Sequence, residues 1–170
     1  DLPPLIVGDV CIVGTGVVLY RGAAIDPKVL MADLCTVREN VTVGRGTIVG
    51  RGVTIENYCS VGRYCKLESE SYLCAYCTLE DRVFIAPGVV TSNDNFVGRT
   101  QERFKHFKGV TVKKGGRIGA CSVTLPACGS ATAFRADSNT RLRATPRCWS
   151  VPTFACTHLA KTLRSASLSL

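Results

Sequence analysis

The sequence predicts an all-β fold, a parallel β-helix built from hexapeptide repeats. Fourteen aliphatic residues stand at a strict interval of six: Val7, Val13, Leu19, Ile25, Met31, Val37, Val43, Val49, Ile55, Val61, Leu67, Leu73, Leu79 and Ile85. A second column lies four residues after each: Cys11, Val17, Ala23, Val29, Cys35, Val41, Thr47, Val53, Cys59, Cys65, Ser71, Cys77, Val83 and Val89, all small or β-branched. Neither a helix of period 3.6 nor an alternating strand produces a sustained period of six. A chain that turns a corner every six residues does, and three hexads close one triangular coil.

The columns describe a narrow prism. The aliphatic residue points inward from a flat face, and the small residue fits near the next corner. The position after the aliphatic is often glycine (Gly8, Gly14, Gly44, Gly50, Gly62), as expected where the backbone turns tightly and adopts positive φ. With strands about 4.7–4.9 Å apart, the hexads up to Ile85 should stand roughly 20–25 Å tall.

The chain has 170 residues and a formal net charge of +8. Residues 1–120 hold 15 Lys and Arg against 12 Asp and Glu, whereas residues 121–170 hold 6 against 1. Most of the excess therefore sits in the tail, with little aromatic interleaving, which argues against nucleic-acid binding. Five of the ten cysteines fall in the small column, where Cys serves as a small buried hydrophobe. Cys74-Ala-Tyr-Cys77 matches C-x-x-C, but no second pair completes a four-ligand metal set. With only His106 and His158, the chain lacks the three histidines of a β-helical zinc hydratase, and no metal is expected. No apolar run approaches the ~18 residues of a membrane span, and no signal peptide is evident. Unpaired thiols favour a reducing cytoplasm. The chain begins at Asp1 rather than Met, as expected if a preceding piece is missing.

The period breaks twice. The first break is an inserted loop over residues 91–109, TSNDNFVGRTQERFKHFKG, which concentrates Asn93, Asp94, Asn95, Arg99, Arg103, Lys105, His106 and Lys108. A long loop in a compact repeat is a candidate functional element. Hexads resume at Val112 and Ile118-Gly119, with Ser122 in the small column. From Cys121 the register is lost, and the glycine count falls from 15 in the first 120 residues to 1 in the last 50. A β-helix domain over 1–120 and an irregular tail over 121–170 follow. The tail reads as an extension, as disorder, or as an out-of-frame translation of further hexads. The last is favoured, because the change falls inside a hexad and leaves no convincing cap. Gly14-Thr-Gly16, Gly44-Arg-Gly46 and Gly50-Arg-Gly52 are repeat corners rather than nucleotide loops, since no strand–glycine loop–helix unit surrounds them.

The hexad columns resemble the left-handed β-helix acyltransferases. The segment Leu79-Glu80-Asp81-Arg82-Val83-Phe84-Ile85-Ala86-Pro87-Gly88, followed by Thr91-Ser92-Asn93-Asp94-Asn95-Phe96, is similar to a stretch of the nucleotide-linked amino-sugar N-acetyltransferases, including the WxcM-like group. The resemblance covers about residues 7–120. It implies a left-handed coil, a homotrimer, and acetyl-CoA and sugar bound in clefts between subunits. The implied reaction moves an acetyl group from acetyl-CoA to the amine of a nucleotide amino sugar, in surface-polysaccharide biosynthesis. Asp94 and His106 are the candidate catalytic residues, and Asn93, Asn95, Arg99 and Arg103 the candidate substrate contacts. Lys105, Lys108, Lys113, Gly119 and Ala120 are the candidate coenzyme contacts, Lys113 being a weaker one together with Lys114 and Arg117. The family's "LPG" continuation stands here as Leu125-Pro126-Ala127. Two alternatives stay open: an O-acetyltransferase of the same fold, and a non-catalytic scaffold or inactive enzyme.

Overall fold

The computed structural model describes residues 1–126, and the tail over 127–170 lies outside them. The described chain forms three six-stranded parallel sheets, wound so that every third strand stacks on the same face. The first sheet holds Ile6–Val7, Ala24–Ile25, Thr42–Val43, Ser60–Val61, Thr78–Leu79 and Thr111–Val112. The second holds Ile12–Val13, Leu30–Met31, Ile48–Val49, Lys66–Leu67, Phe84–Ile85 and Arg117–Ile118. The third holds Val18–Leu19, Thr36–Val37, Thr54–Ile55, Tyr72–Leu73, Val90–Thr91 and Val123–Thr124. The result is a parallel β-helix of six rungs, each in register with the next, as in Ile6 opposite Ala24 and Val7 opposite Ile25.

Both columns face the core. From Ile25 to Ile85 the aliphatic residues are buried, and from Ala23 to Val89 so are the small ones. Val7 and Val13 stay exposed because their rung has only one neighbour. Backbone hydrogen bonds run from rung to rung, as from the Gly8 N–H to Ile25 O at 2.8 Å. Buried cysteines act as the small column requires. Cys59 Sγ donates to Cys74 O at 3.1 Å and Cys65 Sγ to Glu80 O at 3.2 Å, each in the next rung. Burial pushes the Cys35 thiol up to about 11 and also raises that of Cys65, so these groups stay protonated at neutral pH.

The glycines after the aliphatics have a different reason from the expected positive φ. None of them has positive φ. They lie where the neighbouring rung's backbone passes closest: a Cβ on Gly44 would sit 2.6 Å from the Gly62 carbonyl carbon. Positive φ falls two residues later, at Gly16, Gly46 and Gly52 but also at Val10, Lys28, Asn40, Tyr58, Tyr64 and Arg82. The coil imposes the left-handed conformation at each corner whether or not glycine is present, at a cost of roughly 1–2 kcal/mol for residues with a Cβ.

The register also persists past Cys121. Val123–Thr124 pairs with Val90–Thr91 and completes the sixth rung. The strand is hard to see in the sequence because threonine occupies the inward position. Among the described residues, no helix is long and apolar enough to cross a membrane.

Ser71 occupies the small column, and its buried hydroxyl has no hydrogen-bond partner. An unsatisfied buried hydroxyl costs about 1–3 kcal/mol. Ser71→Ala should therefore raise the thermal unfolding midpoint; a lower midpoint would contradict this assignment.

Candidate functional site

The inserted loop leaves the prism at the corner between the third and first sheets, after Val90–Thr91, and returns at Thr111–Val112. Its root is polar and buried. Thr91 stands in the aliphatic column at 2% exposure. Its Oγ1 accepts the Cys74 N–H at 2.8 Å and donates to Tyr72 O at 3.2 Å. On the return side the Val110 N–H donates to Cys77 Sγ at 3.4 Å. Gly109 is buried so close to the preceding rung that an added Cβ would collide with the Tyr76 carbonyl carbon and the Cys77 nitrogen. Both ends of the loop are thus anchored in one rung.

Asp94 organises the loop interior. Its Oδ1 accepts the Phe96 N–H at 2.8 Å, and its Oδ2 accepts the Gly98 N–H at 2.9 Å and an Arg103 Nη1–H at 3.3 Å. Burial alone would raise its pKa, but the hydrogen bonds from Gly98, Phe96 and Arg103 outweigh it and hold the carboxyl below the usual aspartate value. Asp94 and Val97–Gly98, both of the latter at positive φ, form an aspartate-capped turn. The Arg103 guanidinium, anchored at Asp94, lies 4.6 Å from the Phe104 ring centroid and 5.8 Å from that of Phe107. A 3-10 helix spans Gln101–Lys105 and ends at His106, whose N–H donates to Arg103 O at 3.0 Å.

The predicted residues divide accordingly. Asp94 and Arg103 meet directly. His106 is exposed, with its ring 5.7 Å from that of Phe96 and its Nε2 3.6 Å from a Glu102 oxygen. Lys105 Nζ lies 3.7 Å from the same carboxylate. Asn93 is half-buried, and the Asn95 amide donates to Pro126 O at 3.2 Å. Arg99 and Lys108 are exposed and form no ion pair among the described residues. Lys113 lies at a different corner, between the first and second sheets, where its Nζ bonds Glu80 at 2.8 Å. The other Glu80 oxygen accepts the Lys114 N–H at 2.8 Å, and these contacts lower the Glu80 pKa. Gly119 and Ala120 lie at the third corner. The candidate coenzyme residues are therefore spread over all three corners of one chain rather than gathered at one.

Two features escape the motif reading: the buried Thr91–Cys77 root, and an open groove on the second sheet lined by Tyr64, Lys66, Arg82, Val83, Phe84 and Arg117. The signal for the groove is the outward position just before each aliphatic. Lys66 and Phe84 are 18 apart there, and Arg117 takes the same place after the insertion.

No protein-family model matches the chain. Solved structures share its fold. A mutant of the perosamine N-acetyltransferase from Caulobacter crescentus, in complex with CoA and GDP-perosamine, matches with a TM-score of 0.56 at 16% identity, over 71% of this chain and 52% of that one. PerB from Caulobacter crescentus, with the same two ligands, gives a TM-score of 0.56 at 16% identity, over 71% and 53%. A hexapeptide transferase family protein from Anaplasma phagocytophilum matches more loosely, at 14% identity and a TM-score of 0.44, over 73% of this chain and 70% of that one. The chain spans about half the length of the Caulobacter structures. The likeness is one of fold: a left-handed parallel β-helix, as in the Caulobacter structures.

Asp94→Asn preserves shape but removes the charge that holds two backbone amides and Arg103. Amide hydrogen exchange over residues 96–106 should accelerate while the main unfolding transition hardly moves. Because the Asp94 pKa is depressed, its contribution is present at neutral pH and is lost as pH falls through the folded-state value. Acidification of the native protein should therefore loosen the same amides, after correction for intrinsic exchange. Unchanged protection in the variant would contradict the assigned role.

Proposed function

We propose that the chain is the β-helix of an acyltransferase that moves an acetyl group from acetyl-CoA to the amine of a nucleotide-linked amino sugar, in building a surface polysaccharide. The observation that carries this reading is the one long excursion from the solenoid among the described residues. It concentrates amide, carboxylate, imidazole and cationic groups on a scaffold shared with an amino-sugar N-acetyltransferase. In that protein CoA and a nucleotide sugar are bound together.

The chemistry asks little covalent work of the protein. A neutral sugar amine attacks the thioester carbonyl carbon, the carbonyl electrons move to oxygen, and a tetrahedral oxyanion forms. As it collapses, the carbon–sulfur bond breaks, CoA leaves as the thiol, and the nitrogen loses its proton as the amide forms. A backbone N–H near the thioester can stabilise the oxyanion. Positioning supplies most of the rate, because an amine is already a good nucleophile.

The loop geometry refines the roles. The Asp94 carboxylate is occupied by three internal donors, so it serves as a positioning residue that shapes the loop rather than as the base. His106, exposed at the end of the 3-10 helix, is the group free to take the proton. Asn93 and Asn95 are assigned to sugar hydroxyls, and Arg99 and Lys108 to a phosphate of one substrate. Assembly as a homotrimer would bring the loop of one subunit beside another subunit's coils. That arrangement accommodates coenzyme candidates spread over three corners of each chain. The buried free thiols fit a reducing cytoplasm.

The test is thiol release from acetyl-CoA in the presence of nucleotide amino sugars. Release should require the amine, and a hydroxyl sugar of the same skeleton should not replace it. His106→Ala should lower turnover only modestly, with part of the loss recovered as pH rises and the amine deprotonates. Complete loss on His106→Ala together with activity on a hydroxyl acceptor would assign an O-acetyltransferase. Absence of release with any acceptor would overturn the enzymatic reading.

A further inference from the structure

The outer face of the second sheet changes character along the stack. In the first three rungs the outward residues are Ile12, Leu30 and Ile48; in the last three they are Lys66, Phe84 and Arg117. With the corner residues Tyr64 and Arg82, these last three line an open groove of about 620 Å3. Tyr64 sits at φ 56° and, with one ring edge against Gly46 of the preceding rung, stays 55% exposed. The Arg117 guanidinium lies 5.8 Å from the Phe84 ring centroid.

The charge of this groove is uncompensated. Among the described residues, Lys66, Arg82 and Arg117 form no ion pair. The carboxylates at the adjoining corner are engaged elsewhere, Asp81 with Arg63 at 3.4 Å and Glu80 with Lys113 at 2.8 Å. Three cations gathered without a counter-charge repel one another, and an anion removes that repulsion. Two arginines offer planar forks for phosphate oxygens, while lysine offers a point charge. Two aromatic rings in the same groove offer faces for a flat heterocycle.

We propose that this groove binds a nucleotide, with phosphates on Lys66, Arg82 and Arg117 and the base stacked on Tyr64 or Phe84. The inference deepens the acyl-transfer reading and rests on it for the source of the nucleotide. That reaction brings together two phosphorylated partners, the coenzyme and the nucleotide sugar. The loop cations serve one of them, and the groove holds the nucleotide of the other.

The experiment is calorimetric titration of the full chain at low salt with CoA, GDP, UDP and inorganic pyrophosphate. A nucleotide should bind about tenfold or more tightly than pyrophosphate, the gain expected from stacking one base. Preference for CoA assigns the groove to the donor, and preference for GDP or UDP assigns it to the acceptor. A Lys66→Ala, Arg117→Ala double variant should weaken nucleotide binding by at least about tenfold. Tyr64→Asn, which retains a side chain suited to the left-handed corner, should weaken nucleotide but not pyrophosphate binding. Both variants alter exposed positions, and an unchanged far-ultraviolet spectrum confirms their fold. Pyrophosphate binding as tight as any nucleotide, nucleotide affinity unaffected by either variant, or no binding at all would overturn the proposal. Failure of the acyl-transfer reading alone would be distinct: nucleotides would bind in the groove without thiol release.

Discussion

The structure depends on closing one turn of backbone in 18 residues, the spacing that sets Ile6 opposite Ala24. A prism this narrow has room inside for one aliphatic and one small side chain per hexad. Its walls are held by hydrogen bonds between rungs, because two-residue strands cannot pair within a rung. Every other feature adapts to that closure. Tyrosine, arginine and valine accept left-handed corners, and cysteine and threonine serve where a methyl-sized group is needed. Corner carboxylates such as Asp33 and Asp81 accept backbone N–H groups from the rung before, both at 2.8 Å. Cooperativity in such a solenoid is carried between neighbouring rungs rather than through a central core.

The loop is where the chain leaves this lattice, and the lattice decides where it emerges. At its root the inward position changes from aliphatic to Thr91, which exchanges hydrogen bonds with Tyr72 and Cys74 of the rung below. Cys77 receives the returning Val110 amide. The corner that in earlier rungs carries Tyr58 and the stacked Tyr76, ring centroids 5.4 Å apart, here gives way to the long excursion. The lattice therefore fixes the loop's position, and Asp94 and Arg103 fix its interior.

Much of this architecture is legible in the sequence because inward-facing positions tolerate few residue types. The two columns mark the buried set from Ala23 to Val89 almost without error. Legibility fails where the same physics is met by other residues. Thr91 and Thr124 occupy aliphatic positions, so the last strand of the third sheet is invisible to a hydrophobic period. Glycine marks the corners but misleads about conformation, since Gly44 is small to let Gly62 pass, while positive φ belongs to Gly46. Within the loop, the residue types around Asp94 announce polar chemistry. Only the fold shows that its oxygens are taken by Phe96, Gly98 and Arg103, two, four and nine residues away. The groove needs two kinds of knowledge together: which residues face outward, and which fall 18 apart.

The most direct test of the rung lattice is to compare two deletions in the regular part of the coil. Removing residues 44–61, one complete turn, should leave a shorter solenoid. Its β signal in circular dichroism should be retained, its unfolding should be cooperative, and the loop should still emerge at the same corner. Removing residue 44 alone shifts every later side chain by one position, exposing one column and burying the corners, and should abolish cooperative unfolding. Tolerance of the single deletion, or collapse on removal of the whole turn, would contradict the account.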